Sequence, residues 1–361
     1  MSLNKIVEPL LAWYEKEHRI LPWRESKNPY YIWISEIMLQ QTRVEAVKPY
    51  FERFIQAFPT IEDVAFAEEE QLLKMWEGLG YYNRVRNIQK AAREVVEKYE
   101  GKLPADYEKL KTLAGIGNYT AGAVSSIAYQ IPAPAVDGNV LRVISRIEER
   151  TEDIMKQSTR KMVEEAIMEV IPQNAPGEFN QALMELGAVV CVPNGAPNCQ
   201  KCPVASLCGA YKHGRTDELP VKSGKKARRI EERTILLIQD GERVAIQKRP
   251  SKGLLAGLYE FPNLEGHLTE EEVLKYIEEK QLMSLHIKPL HEAKHIFSHV
   301  EWRMIGYAVK VAALEEEKQG NMLFVNQKET EDIYTIPAAY SAYTKYMNIR
   351  LGQEKYEGGL K

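Results

Sequence analysis

Cysteine is almost missing from this 361-residue chain: there are four, all within the 18 positions from Cys191 to Cys208. A secreted disulfide framework spreads its cysteines along the chain, so that architecture is excluded. No apolar run approaches the roughly 20 residues of a membrane-spanning helix. Met1-Ser2-Leu3-Asn4 opens no signal peptide. The expectation is a cytoplasmic protein without membrane association. An excess of positive charge is missing too. Lys and Arg number 48 against 51 Asp and Glu, a net charge of −3, and neither half of the chain is basic. A polyanion would therefore have to be gripped by locally placed donors, not by a global field. Repeats and low-complexity tracts are also absent. What is present is length enough for two or three domains and at least one sizeable core.

Up to about residue 190 apolar residues recur at three- and four-residue spacing, as in Ile6, Leu10 and Trp13 or Val163, Ile167 and Val170. Breakers such as Pro22, Pro29, Pro59, Gly78, Gly80, Pro132 and Pro134 divide this stretch into about ten short helices. Residues 1–211 thus read as an all-α domain closed by the cysteine loop. Residues 212–232 carry Lys222, Lys225, Lys226, Arg228 and Arg229 with few apolar side chains, and read as a linker. From 233 to 361 the period shifts to two. Thr234–Gln239, the turn Asp240-Gly241 and Val244–Lys248 predict a hairpin. Thr269-Glu270-Glu271-Glu272 is a capping box that opens a helix to about Leu282. Residues 284–313 read as strands and 337–349 as a terminal helix, making an α+β domain.

Three features carry chemistry. Cys199-x2-Cys202-x5-Cys208, with Cys191 upstream, offers four thiolates in one loop, the ligand set of a [4Fe–4S] cluster or a structural zinc. Zinc sites more often pair two CxxC knuckles, and one is present here, so iron–sulfur is favoured. Second, Gly115-Ile-Gly117-Asn118-Tyr119-Thr120-Ala121-Gly122 lies between two predicted helices. Gly115 and Gly117 can leave amides facing outward to hold a phosphate without net charge. A dinucleotide loop fails here because Thr120 stands at the third glycine and no strand precedes it; a plain helix–helix turn stays open. Third, Glu36 is the only charge in the apolar stretch Tyr31–Leu39. Desolvation there favours a retained proton for general-acid work, unless a buried Arg pairs with it. Asp137, ahead of a helix from Val140 to Ile147, is either a plain N-cap or a carboxylate kept ionised by the helix dipole. Together they form the acid and carboxylate pair that glycosidic cleavage requires.

Leu21-Pro22-Trp23-Arg24, Ser35-Glu36-Ile37-Met38-Leu39-Gln40-Gln41-Thr42, Gly80-Tyr81-Tyr82, the Gly115–Gly122 hairpin, Val136-Asp137-Gly138-Asn139 and the cysteine loop together resemble the MutY adenine DNA glycosylases, of the helix-hairpin-helix, endonuclease III-like superfamily. The resemblance covers the whole chain. It implies hydrolysis of the N-glycosidic bond of adenine opposite 8-oxoguanine or guanine in double-stranded DNA, by a monomer that flips the nucleotide out. By that resemblance Glu36 is the general acid and base, Asp137 stabilises the cationic sugar, Tyr119 and Asn139 organise the pair, and Arg19 contacts adenine. Gln41 and Tyr81 would fill the helix beside the opposing base; Thr42 and Phe297-Ser298-His299 would read 8-oxoguanine. Lyase members carry a hairpin lysine where this chain has Tyr119, whose phenol forms no imine, so a monofunctional enzyme is expected.

Two positions depart from the family. Seven residues, Val192 to Asn198, separate the first two cysteines, one more than is usual. Gln181 stands where some relatives have a carboxylate facing the base. Gly253–Pro262 resembles the Nudix fold, but the Arg-Glu-x-x-Glu-Glu helix that holds Mg²⁺ does not follow Glu260, so this domain is expected to bind and not to hydrolyse. The rival functions are an endonuclease III-type glycosylase/lyase, disfavoured by Tyr119, and a non-catalytic damage-binding module, disfavoured by the presence of both carboxylates.

Overall fold

Pro29 at its first turn and the Asn28 side chain, which accepts from the Tyr30 amide at 2.9 Å, start the helix Pro29–Leu39. Eight of its eleven residues are buried, so it is a central helix and not an amphipathic surface one. The computed structural model describes residues 3–224, 227–314 and 316–356; Lys225 and Lys226 of the expected linker lie outside them. The chain divides into two compact units, Met1–Phe66 with Asn87–Gly224, and Ala67–Arg86 with Lys225–Lys361. Among the described residues, no helix is long and apolar enough to cross a membrane.

The first unit is helical. Among the described residues twelve α-helices fall between Val7 and Lys212, slightly more than the breaker pattern predicts, and one of them, Glu69–Met75, lies in the segment that goes with the second unit. Leu10, Ile144, Phe179 and Leu183 share one core, which packs the helices Val7–Glu17, Gly138–Ile147 and Pro176–Val189 together. Every residue from Val140 to Ile147 is buried, so this helix sits at the centre with Asp137 at its N-terminus.

The second unit is built on eight strands: β1 (Arg229–Asp240), β2 (Arg243–Lys248), β3 (Tyr259–Glu260), β4 (Asn263–Glu265), β5 (Ser284–Ile296), β6 (Val300–Val311), β7 (Lys318–Gln319) and β8 (Met322–Val325). The main path runs β5-β6-β1-β2-β8-β7, with β3 beside β2 and β4 beside β1. Only β1 and β6 pair in parallel among the described strands; the rest are antiparallel. Ile235 and Leu237 pack on one face with Phe261, Trp302, Tyr340 and Tyr343. Leu236 and Ile238 pack on the other with Val273 and Ile277 of the helix Glu270–Glu279. Both faces are covered, which is why β1 reads as a continuous apolar run.

Several boundaries differ from the sequence reading, each for a local reason. β1 begins at Arg229, inside the expected linker, because parallel pairing with β6 already starts at Arg229 opposite Val300. The capped helix ends at Glu279, short of Leu282, since Gln281 takes a left-handed φ of +57°. The expected terminal helix is three short turns, Ala338–Tyr340, Ser341–Thr344 and Lys345–Met347. Tyr340 and Tyr343, three apart, both go into the core, a spacing that suits tighter 3₁₀ winding. The largest difference is Ala67–Arg86. It reads as part of the helical domain but belongs to the second unit, because Glu77 accepts from the amides of Ile336 (3.0 Å) and Gly352 (3.1 Å).

Candidate active site

The hairpin connects the helix Tyr107–Thr112 to Asn118–Ala123. Ile116 is buried while Gly115 and Gly117 on either side are exposed, so a single apolar anchor turns the glycine backbone outward. Gly115 has φ +77°, and a Cβ there would lie 2.8 Å from Asn87 Cβ; both facts demand glycine. The following helix carries Tyr119 inward to a cleft of about 1150 Å³ in the first unit. Arg19, Glu36, Tyr119, Asp137, Asn139 and Gln181 all line it, as do Gln41 and Thr42.

Glu36 is 6% exposed, and the Tyr119 hydroxyl donates to its carboxylate. Burial raises the Glu36 pKa to about 7; the Tyr119 bond pulls the other way and the Asp137 charge adds to the rise. Tyr119 also lies 3.3 Å from Met184 Sδ, and its own pKa is raised well above the usual phenol value by burial and by Glu36. Asp137 caps its helix: Oδ1 accepts from the Val140 amide at 2.8 Å and Oδ2 from Asn139 Nδ2 at 2.7 Å. It is thus an N-cap as well as a cleft carboxylate. Its pKa is nevertheless raised, because burial outweighs those bonds. This differs from the dipole argument, which expected only a downward pull.

Behind Asp137 runs a fixed chain of donors. Asn139 Oδ1 accepts from Arg142 Nη2 at 2.9 Å, and Arg142 donates on to the carbonyls of Gly187 and Cys191, both at 2.8 Å. Gly187 permits this approach, since a Cβ there would lie 2.6 Å from Asn139 Cβ. Arg160 donates to the Val136 carbonyl just ahead of Asp137. The carboxylate is therefore located by rigid neighbours on both sides.

Sequence reasoning missed a further acid of the cleft, the buried Glu185. Glu185 Oε1 accepts from Arg19 Nε at 2.6 Å, and Oε2 from Arg19 Nη2 at 3.0 Å and Arg24 Nη2 at 2.8 Å. Burial would raise its pKa, but the two guanidiniums prevail and hold it at about 2. Arg19, expected at the adenine, lines the cleft with its guanidinium committed to Glu185. The missed signal was the one that revealed Glu36: an acid inside a mostly buried helix, here Pro176–Val189. Gln181 Oε1 accepts from the Tyr14 hydroxyl at 2.7 Å.

Cys191, Cys199, Cys202 and Cys208 line one small apolar cavity with Val143, Ile147, Leu186 and Val190. The long first loop closes on itself, with the Asn198 amide donating to the Val190 carbonyl at 3.0 Å. Burial raises the Cys199, Cys202 and Cys208 thiols, Cys202 to about 12, and neighbouring thiolates add to each rise. Arg146 Nη1 lies 3.2 Å from Cys191 Sγ. Four thiols around one apolar cavity are a donor set that fits an iron–sulfur cluster or a zinc ion.

The remaining expected site residues lie in the second unit. Tyr81 is 54% exposed at φ +48°. Its hydroxyl lies 3.0 Å from Ser298 Oγ. Phe297, Ser298 and His299 form the turn between β5 and β6, closed by the Phe297 amide on the Val300 carbonyl at 2.8 Å. Phe297 packs edge-on against Trp302, while Ser298 and His299 are exposed. Glu260, at the Nudix-like segment, is held by Arg249, by Gln247 Nε2 at 3.1 Å and by the Tyr340 hydroxyl at 2.6 Å.

Comparison with known proteins finds two family models. Residues 34–173 match the HhH-GPD superfamily of base excision DNA repair proteins, and residues 233–346 match the NUDIX domain. The adenine DNA glycosylase of Mus musculus is 35% identical, covering 85% of this chain and 70% of that protein. The human enzyme is 32% identical over 96% of this chain and 74% of its own length. That of Buchnera aphidicola subsp. Schizaphis graminum is 32% identical over 92% and 96%. Among solved structures, a thermostable thymine-DNA glycosylase matches with TM-score 0.52 at 29% identity, covering 58% of this chain and 97% of its own. Endonuclease III trapped as a covalent intermediate with DNA matches with TM-score 0.51 at 27% identity, covering 59% and 99%.

Proposed function

This chain belongs to the adenine DNA glycosylase family, and on that premise we propose that it hydrolyses the N-glycosidic bond of adenine opposite 8-oxoguanine or guanine in duplex DNA, in base excision repair. One observation carries the reading: Glu36 and Asp137 line one cleft, both with raised pKa and both held by fixed hydrogen bonds. Adenine inside a duplex cannot reach such a cleft, so the nucleotide is flipped into it. With a pKa of about 7, a large share of Glu36 keeps its proton near neutrality. It donates that proton to N7 of the base, which then leaves neutral. Asp137 faces the positive charge that develops on the sugar as the bond breaks. Glu36, now ionised, takes the proton of the attacking water, and Tyr119 holds it in place through the hydroxyl hydrogen bond. Asn139 keeps Asp137 oriented by the bond described above.

The hairpin glycines present amides to a DNA phosphate, and Gln41 and Thr42 meet the duplex at the cleft edge. Tyr81 with Phe297, Ser298 and His299 meets the opposing base. Cys191, Cys199, Cys202 and Cys208 would hold a [4Fe–4S] cluster, which supplies a rigid tie for the loop and a one-electron redox couple. With Tyr119 in place of an amine at the hairpin, base release leaves the strand intact.

Duplexes with adenine opposite 8-oxoguanine, guanine, cytosine or thymine, assayed with and without alkali, test this reading. Base release should be confined to the first two, with breaks only after alkali. Scission without alkali at the rate of base release would instead indicate a lyase, and release from all four pairs would remove the mispair assignment.

A further inference from the structure

We propose that Glu77 is a positioning residue for opposite-base recognition: through its carboxylate the C-terminal fold holds the turn that presents Tyr81 to Ser298. The inference rests on the reading above, in which Tyr81 and Ser298 meet the base opposite adenine.

An aromatic residue at φ +48° adopts that conformation only where its surroundings enforce it. Here the enforcing groups are visible. Trp76 Nε1 donates to the Gly80 carbonyl at 3.2 Å. Arg84 Nη2 donates to the carbonyls of Leu79 at 3.0 Å and Gly80 at 3.1 Å, and its guanidinium lies over the Trp76 and Tyr81 rings. The Gly78 amide reaches the Tyr82 hydroxyl at 3.4 Å. This cage fixes the turn internally, and a second attachment ties it to the C-terminal segments.

That second attachment passes through Glu77, 1% exposed and adjacent to the turn. Besides the amides of Ile336 and Gly352, its carboxylate meets Lys74 Nζ at 2.9 Å and Lys355 Nζ at 3.0 Å. Lys74 in turn donates to the carbonyls of Thr330 and Tyr334, both at 2.8 Å. Two separated C-terminal segments, at Ile336 and at Gly352–Lys355, thus converge on one acid of the Ala67–Arg86 segment. A buried, fully paired charge is a weak source of stability compared with apolar packing; its value is in fixing one arrangement. The arrangement fixed here includes the 3.0 Å meeting of Tyr81 and Ser298.

The test uses the full-length protein and a duplex with adenine opposite 8-oxoguanine. Glu77→Gln should weaken binding by about tenfold while the single-turnover excision rate at saturating enzyme stays within about twofold. Combined with Ser298→Ala, it should weaken binding no further than the worse single variant, since both break one coupled device. Unchanged affinity, multiplying effects or a fall in rate at saturation would each overturn the inference. Should Glu77→Gln not fold, Lys355→Gln at the edge of the same cluster must show the same pattern or the inference fails. Tyr81→Ala and Ser298→Ala separate the two levels. If neither alters affinity for this duplex, the recognition reading itself falls; if they do and Glu77→Gln does not, only the role of Glu77 falls.

Discussion

The two units treat buried acids in opposite ways. In the second, each well-buried carboxylate among the described residues has a cation: Glu77 has Lys74 and Lys355, Glu260 has Arg249, Asp240 has Arg243, and Glu331 has Arg350. In the first, Glu185 follows that pattern with Arg19 and Arg24, whereas Glu36 and Asp137 are held by hydroxyl, amide and backbone donors and sit at raised pKa. A paired acid is spent on structure. An acid desolvated without a cation pays a standing cost in stability, and it keeps a proton within reach of neutral pH. The difference between the units is thus a physical map of where chemistry is placed.

The largest expected effect comes from removing one of the two exceptions. Asp137→Asn keeps the shape and an acceptor for the Val140 amide but cannot oppose the developing sugar cation. Excision from the mispair duplex should fall by about 10³–10⁴-fold while binding is retained. Single-turnover kinetics beside a binding titration will decide, and near-normal turnover would return Asp137 to being a helix cap alone.

The second effect probes the paired acids. Arg249→Met leaves Glu260 buried without its cation, which should cost the C-terminal unit about 3–5 kcal/mol. Chemical denaturation reads this directly. A loss below about 1 kcal/mol would mean that Tyr340 and Gln247 suffice to hold Glu260 and that pairing by cations is not what separates the units.

What the sequence disclosed follows the same division. Glu36 was legible because a lone charge in an apolar helix has few explanations, and the four cysteines because their clustering has fewer. Gly115 and Gly117 were legible as a turn between two helices, as the structure has them. The membership of Ala67–Arg86 in the second unit was not legible. Glu77 and Lys74 are bound by backbone amides and carbonyls some 250 residues away in sequence, and backbone groups leave no mark in side-chain patterns. The partner of Arg19 was not legible for a related reason: Glu185 lies 166 positions on, and periodicity reports which face a residue occupies, not which ion it meets.

The third effect concerns pH and is the smallest, but it carries a sign that pairing cannot imitate. As a general acid Glu36 must be protonated, so excision should decline as pH rises through about 7. Stability should move the same way. The folded-state pKa lies above the ordinary carboxylate value of 4.5, so between those two pH values the native state binds more protons than the unfolded one, and stability falls as pH rises. Glu36→Gln removes this penalty. At pH 8 the variant should be more stable than the parent by roughly 2 kcal/mol, and at pH 4 the two should be alike. Glu185, held at about 2 by its guanidiniums, should give the reverse: its contribution is full at neutrality and is lost as pH falls from about 4.5 towards 2. A Glu36→Gln variant less stable than the parent at pH 8 would show that the Tyr119 hydrogen bond outweighs desolvation, and the contrast between poised and paired acids would then fail at the residue on which it depends most.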